Sequence, residues 1–252
     1  MPDRFHLIRL DHCRSTNDHV KENFARLEKD LPLMVSADSQ SGGRGREGRG
    51  WFSPPGLGLY VTFVFRLAAA RGLSFLSIAS GVAVADMLNA WTHREFTLKW
   101  PNDVLAAEKK IAGILCENMV KGETITCLVG IGININQAAE DFPPELRQRA
   151  GSLRQLTGDA WPVDAGLDCL AAAMASCLEK LALARSAEIL GRARQLSRSY
   201  LQREISFHHQ GQVIRGIFCG LAADGGLLLK SADGEEKVFY SGEIIDPARF
   251  RP

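Results

Sequence analysis

Hydrophobic and polar positions alternate from Phe5 to Cys13, the two-residue period of a strand, before Ser15-Thr16-Asn17-Asp18 leads into an amphipathic stretch reaching about Leu27. Side chains of those four types cap the free N–H groups of a helix, so the opening reads as strand, cap, helix. Leu33 to Ala37 predicts a short strand ending at Gln40. Leu57 to Leu67 predicts a longer one, with Leu57, Leu59, Val61, Phe63 and Phe65 on one face and Tyr60, Thr62, Val64 and Arg66 on the other. From Ser77 to Trp91 the period becomes helical, Ile78, Val82, Ala85 and Leu88 forming one stripe. Strands are then predicted at Phe96 to Trp100, Lys110 to Val120 and Thr124 to Asn134, the last two joined as a hairpin through Lys121-Gly122-Glu123. Beyond Pro143-Pro144, the stretches Ser152 to Leu156, Asp164 to Leu183 and Ala187 to Leu201 read as helices. Alternation returns in Glu204 to Phe218, Gly226 to Lys230 and Lys237 to Ser241, with Asp224-Gly225 and Asp233-Gly234 as turns. The pattern predicts an α+β fold: a mixed or antiparallel sheet with helices against one face over residues 1–202, and a small β-barrel over residues 203–252.

Composition narrows the chemistry. With 46% hydrophobic and 23% charged residues, the 252-residue chain has an ordinary globular balance. Its 30 Lys+Arg against 29 Asp+Glu leave a net charge of +1, so no global field attracts nucleic acid or acidic membranes, and anion binding has to be local. The apolar run from Ile78 to Leu88 is interrupted by Ser80, Gly81 and Asp86, short of the ~18 residues a membrane span needs. A strand begins within a few residues of the N-terminus, which leaves no room for a secretory signal, and a cytoplasmic location is expected. Cysteines at 13, 116, 127, 169, 177 and 219 form no C-x-x-C pair and are expected to be free, buried thiols.

Four segments carry candidate chemistry. The run Gln40-Ser41-Gly42-Gly43-Arg44-Gly45-Arg46-Glu47-Gly48-Arg49-Gly50-Trp51 combines backbone freedom with three fixed cations, which suits phosphate or carboxylate. It also reads as a solvated basic loop or a non-specific RNA contact. It is not a Walker A loop, since no Gly-Lys-Ser/Thr follows, and not a dinucleotide fingerprint, since a strand comes next. Asn102 and Asp103, after Lys99-Trp100-Pro101, form either an Asx-turn or a hold for Mg²⁺ near phosphates. Lys110, opening Lys-Ile-Ala-Gly-Ile-Leu, either reaches solvent or points a compact charge into a site. Gly130-Ile131-Gly132-Ile133-Asn134 is an apolar strand with a polar end.

In this order and spacing, Ser15-Thr16-Asn17, Gln40, the Gly-Arg-Gly-Arg loop, Lys-Trp-Pro-Asn-Asp, Lys-Ile-Ala-Gly-Ile-Leu with Glu117, and Gly-Ile-Gly-Ile-Asn resemble the biotin protein ligases. The resemblance implies a class II synthetase-like catalytic domain followed by an SH3-like barrel. It implies an enzyme that joins biotin to ATP as biotinyl-5′-AMP and then acylates one lysine of the biotin carboxyl carrier protein of acetyl-CoA carboxylase. It further implies roles for particular residues. Ser15, Thr16 and Gln40 would bind the ureido ring, with Asn17 nearby. The backbone of Arg44 and Gly45 and the side chain of Arg46 would wrap carboxyl and phosphate. Lys110 would hold both anions, with Arg46 the second catalytic residue. Gly43, Arg49 and Gly113 would line the site, Trp51 and Phe52 would offer aromatic surface, Asn102 and Asp103 would serve Mg²⁺-ATP, and Asn134 would reach the nucleotide. About a dozen residues precede Ser15, so the DNA-binding domain of some relatives is expected to be absent, with no specific DNA binding, no membrane contact and a homodimer through the sheet edge. The alternatives are a lipoate or octanoate ligase-like enzyme, a nucleic-acid-binding module and a catalytically silent biotin sensor.

Overall fold

A computed structural model describes residues 5–67 and 73–245, so the opening residues from which the absence of a signal was read lie partly outside the described ones. Strand β1 (His6–Cys13) runs parallel to β2 (Leu33–Gln40), and the connection between them carries helices α1 (Thr16–Glu22) and α2 (Phe24–Leu27). Ser15 caps α1 by accepting from the Asp18 N–H, as its position predicts. The amphipathic stretch to Leu27 is not one helix, because Asn23 leaves helical geometry and divides it.

Strands β3 (Gly58–Arg66), β4 (Thr97–Lys99), β5 (Asp103–Ala106), β6 (Lys109–Lys121) and β7 (Thr124–Asn134) complete a seven-stranded sheet in the order β1-β2-β3-β7-β6-β5-β4. Only the β1–β2 pair is parallel, and β6 and β7 form the expected hairpin. Strand β5 is a correction: the sequence shows a turn at Asn102-Asp103, whereas Asp103 begins a four-residue strand. Its residues are all buried, so no alternation marks it.

Helix α3 (Leu73–Thr92), α5 (Val163–Ala182) and α6 (Ser186–Leu196) cover one face, where Val61, Phe63, Leu88, Leu98, Ile114, Leu170 and Leu190 belong to one core. The short α4 (Leu153–Thr157) is capped by Ser152. Over Phe75–Thr92, α3 is long and apolar enough to cross a membrane, but it lies mostly buried as the central core helix. The opposite face is not bare. Val20 and Leu27 pack there against Val35, Val64 and Leu128, which explains why both faces of β3 are buried.

The C-terminal sheet comprises β8 (Glu204–His209), β9 (Gln212–Leu221), β10 (Leu227–Lys230), β11 (Glu236–Phe239) and β12 (Glu243–Ile245), all antiparallel, in the order β11-β10-β9-β8-β12. The alternation from Glu204 to Phe218 covers two strands turning at Gln210-Gly211. This sheet does not stand alone: Phe207, Phe218 and Leu227 join the main core, and Trp100 Nε1 donates to the Gly225 carbonyl at 3.0 Å.

Candidate functional site

The face of the sheet away from α3 holds a cavity of about 660 Å³, within the range of small-molecule sites. Ser15, Thr16, Asn17, Gln40, Gly43, Arg44, Gly45, Arg46, Arg49, Trp51, Phe52, Asn102, Asp103, Lys110, Gly113 and Asn134 all line it. Segments separated by up to 120 residues thus converge because β6 and β7 lie between β3 and β5 and place the glycine-rich loop above them.

Strand β7 gives the cavity its long axis. Gly130, Gly132 and Asn134 alternate onto this face. Asn17 sits over Gly130, Trp51 lies against Gly132, and Asn134 donates to the Lys110 carbonyl at 3.4 Å. At about 3.3 Å per residue the line from Gly130 to Asn134 spans roughly 13 Å. A Cβ at Gly132 would stand 2.4 Å from the Trp51 indole, so only glycine admits the ring there. Gly113, paired with Gly132 across the hairpin, makes the neighbouring floor.

One end of this line is formed by the uncharged side chains of Ser15, Thr16, Asn17 and Gln40, with the Arg44–Glu117 ion pair beside Asn17. Gln40 Oε1 accepts from the Thr16 N–H at 2.9 Å, and Gln40 Nε2 donates to Ser53 Oγ at 2.9 Å. Ser15, Thr16 and Asn17 are all buried.

The other end is cationic. Lys110 Nζ lies 2.7 Å from Asp103 Oδ1 and 5.3 Å from the Trp51 ring centre. Arg46 Nη1 donates to the Gly242 carbonyl at 2.9 Å and to Asn102 Oδ1 at 3.3 Å. Burial draws the Arg46 guanidinium below its ordinary value, opposed by the carboxylates of Glu47, Asp103 and Glu243. Arg49 reaches Glu243 at 2.5 Å. Six cationic side chains on the wall (Arg44, Arg46, Arg49, Lys99, Lys110, Arg149) outnumber four anionic ones (Asp103, Glu108, Glu145, Glu243), the local excess a near-neutral chain needs to bind an anion.

Behind the wall Arg44 is held by Asp18 and, at 3.3 Å, by Glu117. Burial pushes the Glu117 carboxyl up, but hydrogen bonds from Lys21 and Asn17 and the charges of Lys21 and Arg44 outweigh it and hold the group below its ordinary value. Among the described residues, Arg44 Nε and Trp51 Nε1 are buried without a hydrogen bond, and Asp103 Oδ1 takes no aligned one despite its ion pair. Unpartnered polar atoms gathered on one cavity wall are the mark of a site built around a ligand.

Residues 10–136 match the family described as Biotin/lipoate A/B protein ligase family, and residues 201–245 match the Biotin protein ligase C terminal domain. The chain is 32% identical over 246 residues to the Bifunctional ligase/repressor BirA of Bacillus spizizenii, covering 95% of this chain and 73% of that protein. It belongs to this ligase family. The Biotin–[acetyl-CoA-carboxylase] ligase of Paracoccus denitrificans is 33% identical over 226 residues, covering 82% of this chain and 90% of the relative. Among solved structures, the biotin protein ligase of Aquifex aeolicus in complex with biotin and ATP superposes with a TM-score of 0.83 at 33% identity, covering 95% of this chain and 97% of that one.

Within the ligase site, two expectations shift. Asn102 commits both ends of its amide, Oδ1 to Arg46 and Nδ2 to the Ile114 carbonyl at 3.0 Å, so its side chain braces the site. Asn134 likewise donates to the Gly151 carbonyl at 2.9 Å and fixes the wall formed by residues 149–151. Phe52 packs against Phe142, with ring centres 6.1 Å apart. Sequence reasoning assigned no role to Lys21, Thr62, Lys99, Glu117 or Glu243. Lys21 was findable, since it follows Asn17 by four positions on α1 and shares its face. Glu243 carried no local signal.

Proposed function

We propose that this chain is a biotin protein ligase that activates biotin with ATP and transfers it to a lysine of the carboxyl carrier protein of acetyl-CoA carboxylase. The observation that supports this over a generic acyl-adenylating enzyme is the division of one cavity into a hydrogen-bonding end of uncharged side chains and a cationic end, with an indole between them. Biotin has the matching parts: a ureido ring, an apolar chain and a carboxylate. Lipoate and octanoate offer nothing for Ser15, Thr16 and Gln40 to bind.

In the first step a biotin carboxylate oxygen attacks the α-phosphorus of ATP, forming the acyl–phosphate bond while the bond to pyrophosphate breaks. The two reactants repel, so the site must neutralise both before they meet. Lys110 would lie between them. Asp103 orients the Lys110 ammonium, and Trp51 beneath it keeps the carboxylate end dry. Arg46 supplies charge-assisted bonds to the phosphate once released from Gly242. In the second step the neutral carrier lysine attacks the acyl carbon, AMP leaves, and the amine gives up a proton. The adenylate is a mixed anhydride that water destroys, so closure of the glycine-rich loop over it is part of the chemistry.

Magnesium fits this donor set in a restricted way. Asn102 Oδ1 already accepts from Arg46 at 3.3 Å, whereas Asp103 offers a buried carboxylate oxygen without an aligned hydrogen bond, so Asp103 would be the principal protein ligand to the ion together with the phosphates. Bound there, magnesium would offset phosphate charge during displacement. We place the activity in the cytoplasm and assign the described residues no sequence-specific DNA contact.

Incubating the protein with biotin, ATP and a biotin carboxyl carrier domain tests the transfer. Mass spectrometry should show one biotin on one carrier lysine, and an unmodified carrier would refute the reading.

A further inference from the structure

We infer that Glu108 is the catalytic group that takes the proton from the carrier lysine in the second step. The inference rests on the ligase reading above and names the acceptor which that step requires.

The cationic wall that favours adenylation works against transfer. A lysine side chain is an ammonium at neutral pH, and six cations against four carboxylates around the cavity repel it. An uncommitted anion is needed at the reacting end. Two of the four wall carboxylates are already engaged, Asp103 by Lys110 at 2.7 Å and Glu243 by Arg49 at 2.5 Å. Among the described residues, the carboxylates of Glu108 and Glu145 take part in no ion pair.

Of these two, Glu108 stands next to Lys110. Ala107 and Glu108 make the two-residue turn between β5 and β6, closed by the Ala106–Lys109 pair. Glu108 and Lys110 both line the cavity, whereas Lys109 between them turns to the Arg147 carbonyl at 3.3 Å. Two residues of chain span at most about 7 Å, so the carboxylate is carried beside the ammonium proposed to hold the acyl group. Glu145 has a cation for a neighbour instead, since Arg149 on the same wall donates to its carbonyl at 3.0 Å.

The turn favours other residues. Ala107 has a φ of 47° and Glu108 a φ of 62°, the left-handed pair that a tight hairpin requires and that glycine, asparagine or aspartate ordinarily supplies. A glutamate stands there at a conformational cost, exposed at the cavity where a macromolecule can reach it.

The carrier ammonium gives one proton to solvent and attacks as an amine. Its nitrogen bonds to the acyl carbon, the bond from that carbon to the phosphate oxygen breaks, and AMP leaves with the electron pair. The proton now surplus on the nitrogen passes to a Glu108 carboxylate oxygen, and from that exposed group to solvent.

The test is single-turnover transfer from enzyme loaded with biotinyl-5′-AMP, with the carrier domain varied to saturation, by wild type, E108Q, E108G and E145Q. ATP–pyrophosphate exchange and thermal melting are measured on each. At saturating carrier, transfer by E108Q and E108G is expected to slow about 10²-fold, the lower end of general acid–base catalysis, with exchange within about twofold. E108G is expected to melt no lower than wild type, because glycine suits the turn. Hydroxylamine, a weakly basic amine whose surplus proton passes readily to water, is expected to discharge the adenylate on E108Q at the wild-type rate. Unchanged transfer in E108Q overturns the inference. So does a loss carried by E145Q instead, a loss that saturating carrier removes, which marks a docking contact, or an equal loss of hydroxylamine discharge, which marks a damaged site. If E108Q does not fold, E108G decides alone by the same rates. Wild type that makes adenylate yet acylates no carrier would discard the ligase reading itself, a separate result.

Discussion

The Arg49 guanidinium in the glycine-rich loop lies 2.5 Å from the Glu243 carboxylate, which opens the last strand of the C-terminal sheet. One residue earlier, the Gly242 carbonyl takes the hydrogen bond from Arg46. The start of β12 and the residue before it therefore hold the loop at two points. Glu243→Gln removes one of them. A partly exposed ion pair is worth roughly 0.2–1 kcal/mol, so the ATP KM is expected to change by at most about fivefold, with melting temperature nearly constant. Steady-state kinetics would check this, and a collapse of folding would show the contact to be structural instead.

Lys110→Ala removes the cation proposed to lie between carboxylate and α-phosphate. Loss of one preorganised charge donor is expected to slow adenylation by on the order of 10²-fold or more. Exchange assays on folded protein measure this, and wild-type rates would refute the assignment.

Arg46→Gly is expected to let the adenylate escape. The substitution removes the proposed phosphate contact and adds backbone freedom to a loop already rich in glycine. Chromatography should show biotinyl-5′-AMP in solution, and serum albumin added as a bystander should become labelled. Labelling confined to the carrier would move the retaining role to Arg44, Arg49 or Trp51.

Gly132→Ala forces a methyl group into the Trp51 indole. Overpacking costs about 1–3 kcal/mol. The biotin KM is expected to rise about 10-fold, with a smaller effect on ATP, and titration of the change in Trp fluorescence would follow it.

The Glu117 cluster also makes stability depend on pH. Its carboxyl is held below the ordinary value of 4.5, so the stabilisation is present above that pH and is lost as pH falls through the lower folded-state value. Melting curves of wild type and Glu117→Gln should therefore approach one another as pH falls from 4.5 through the lower folded-state value, and a gap that stays constant over that descent would contradict the assigned shift.

Much of this was legible in the sequence because it is local. Alternation located β1, β3, β6 and β7, and Ser15 announced its own helix cap. The site was legible because its residues cluster in short contiguous motifs at strand ends. What escaped has physical reasons. Strand β5 is too short and too buried to alternate, and the polar turn at Gln210-Gly211 preserved a strand-like rhythm across β8 and β9. Helix α1 on the second face buries few residues, so helices on one face was the natural expectation. Glu117 and Glu243 act through partners about 100 and 200 residues away, a relation that no window of sequence carries.

The central claim is that one cavity recognises a cyclic urea at one end and activates a carboxylate at the other. ATP–pyrophosphate exchange measured in parallel with biotin, lipoate and octanoate tests it most directly. Exchange that depends on biotin, with lipoate and octanoate near background, is the predicted result; comparable exchange with either of the other acids, or none with biotin, would contradict it.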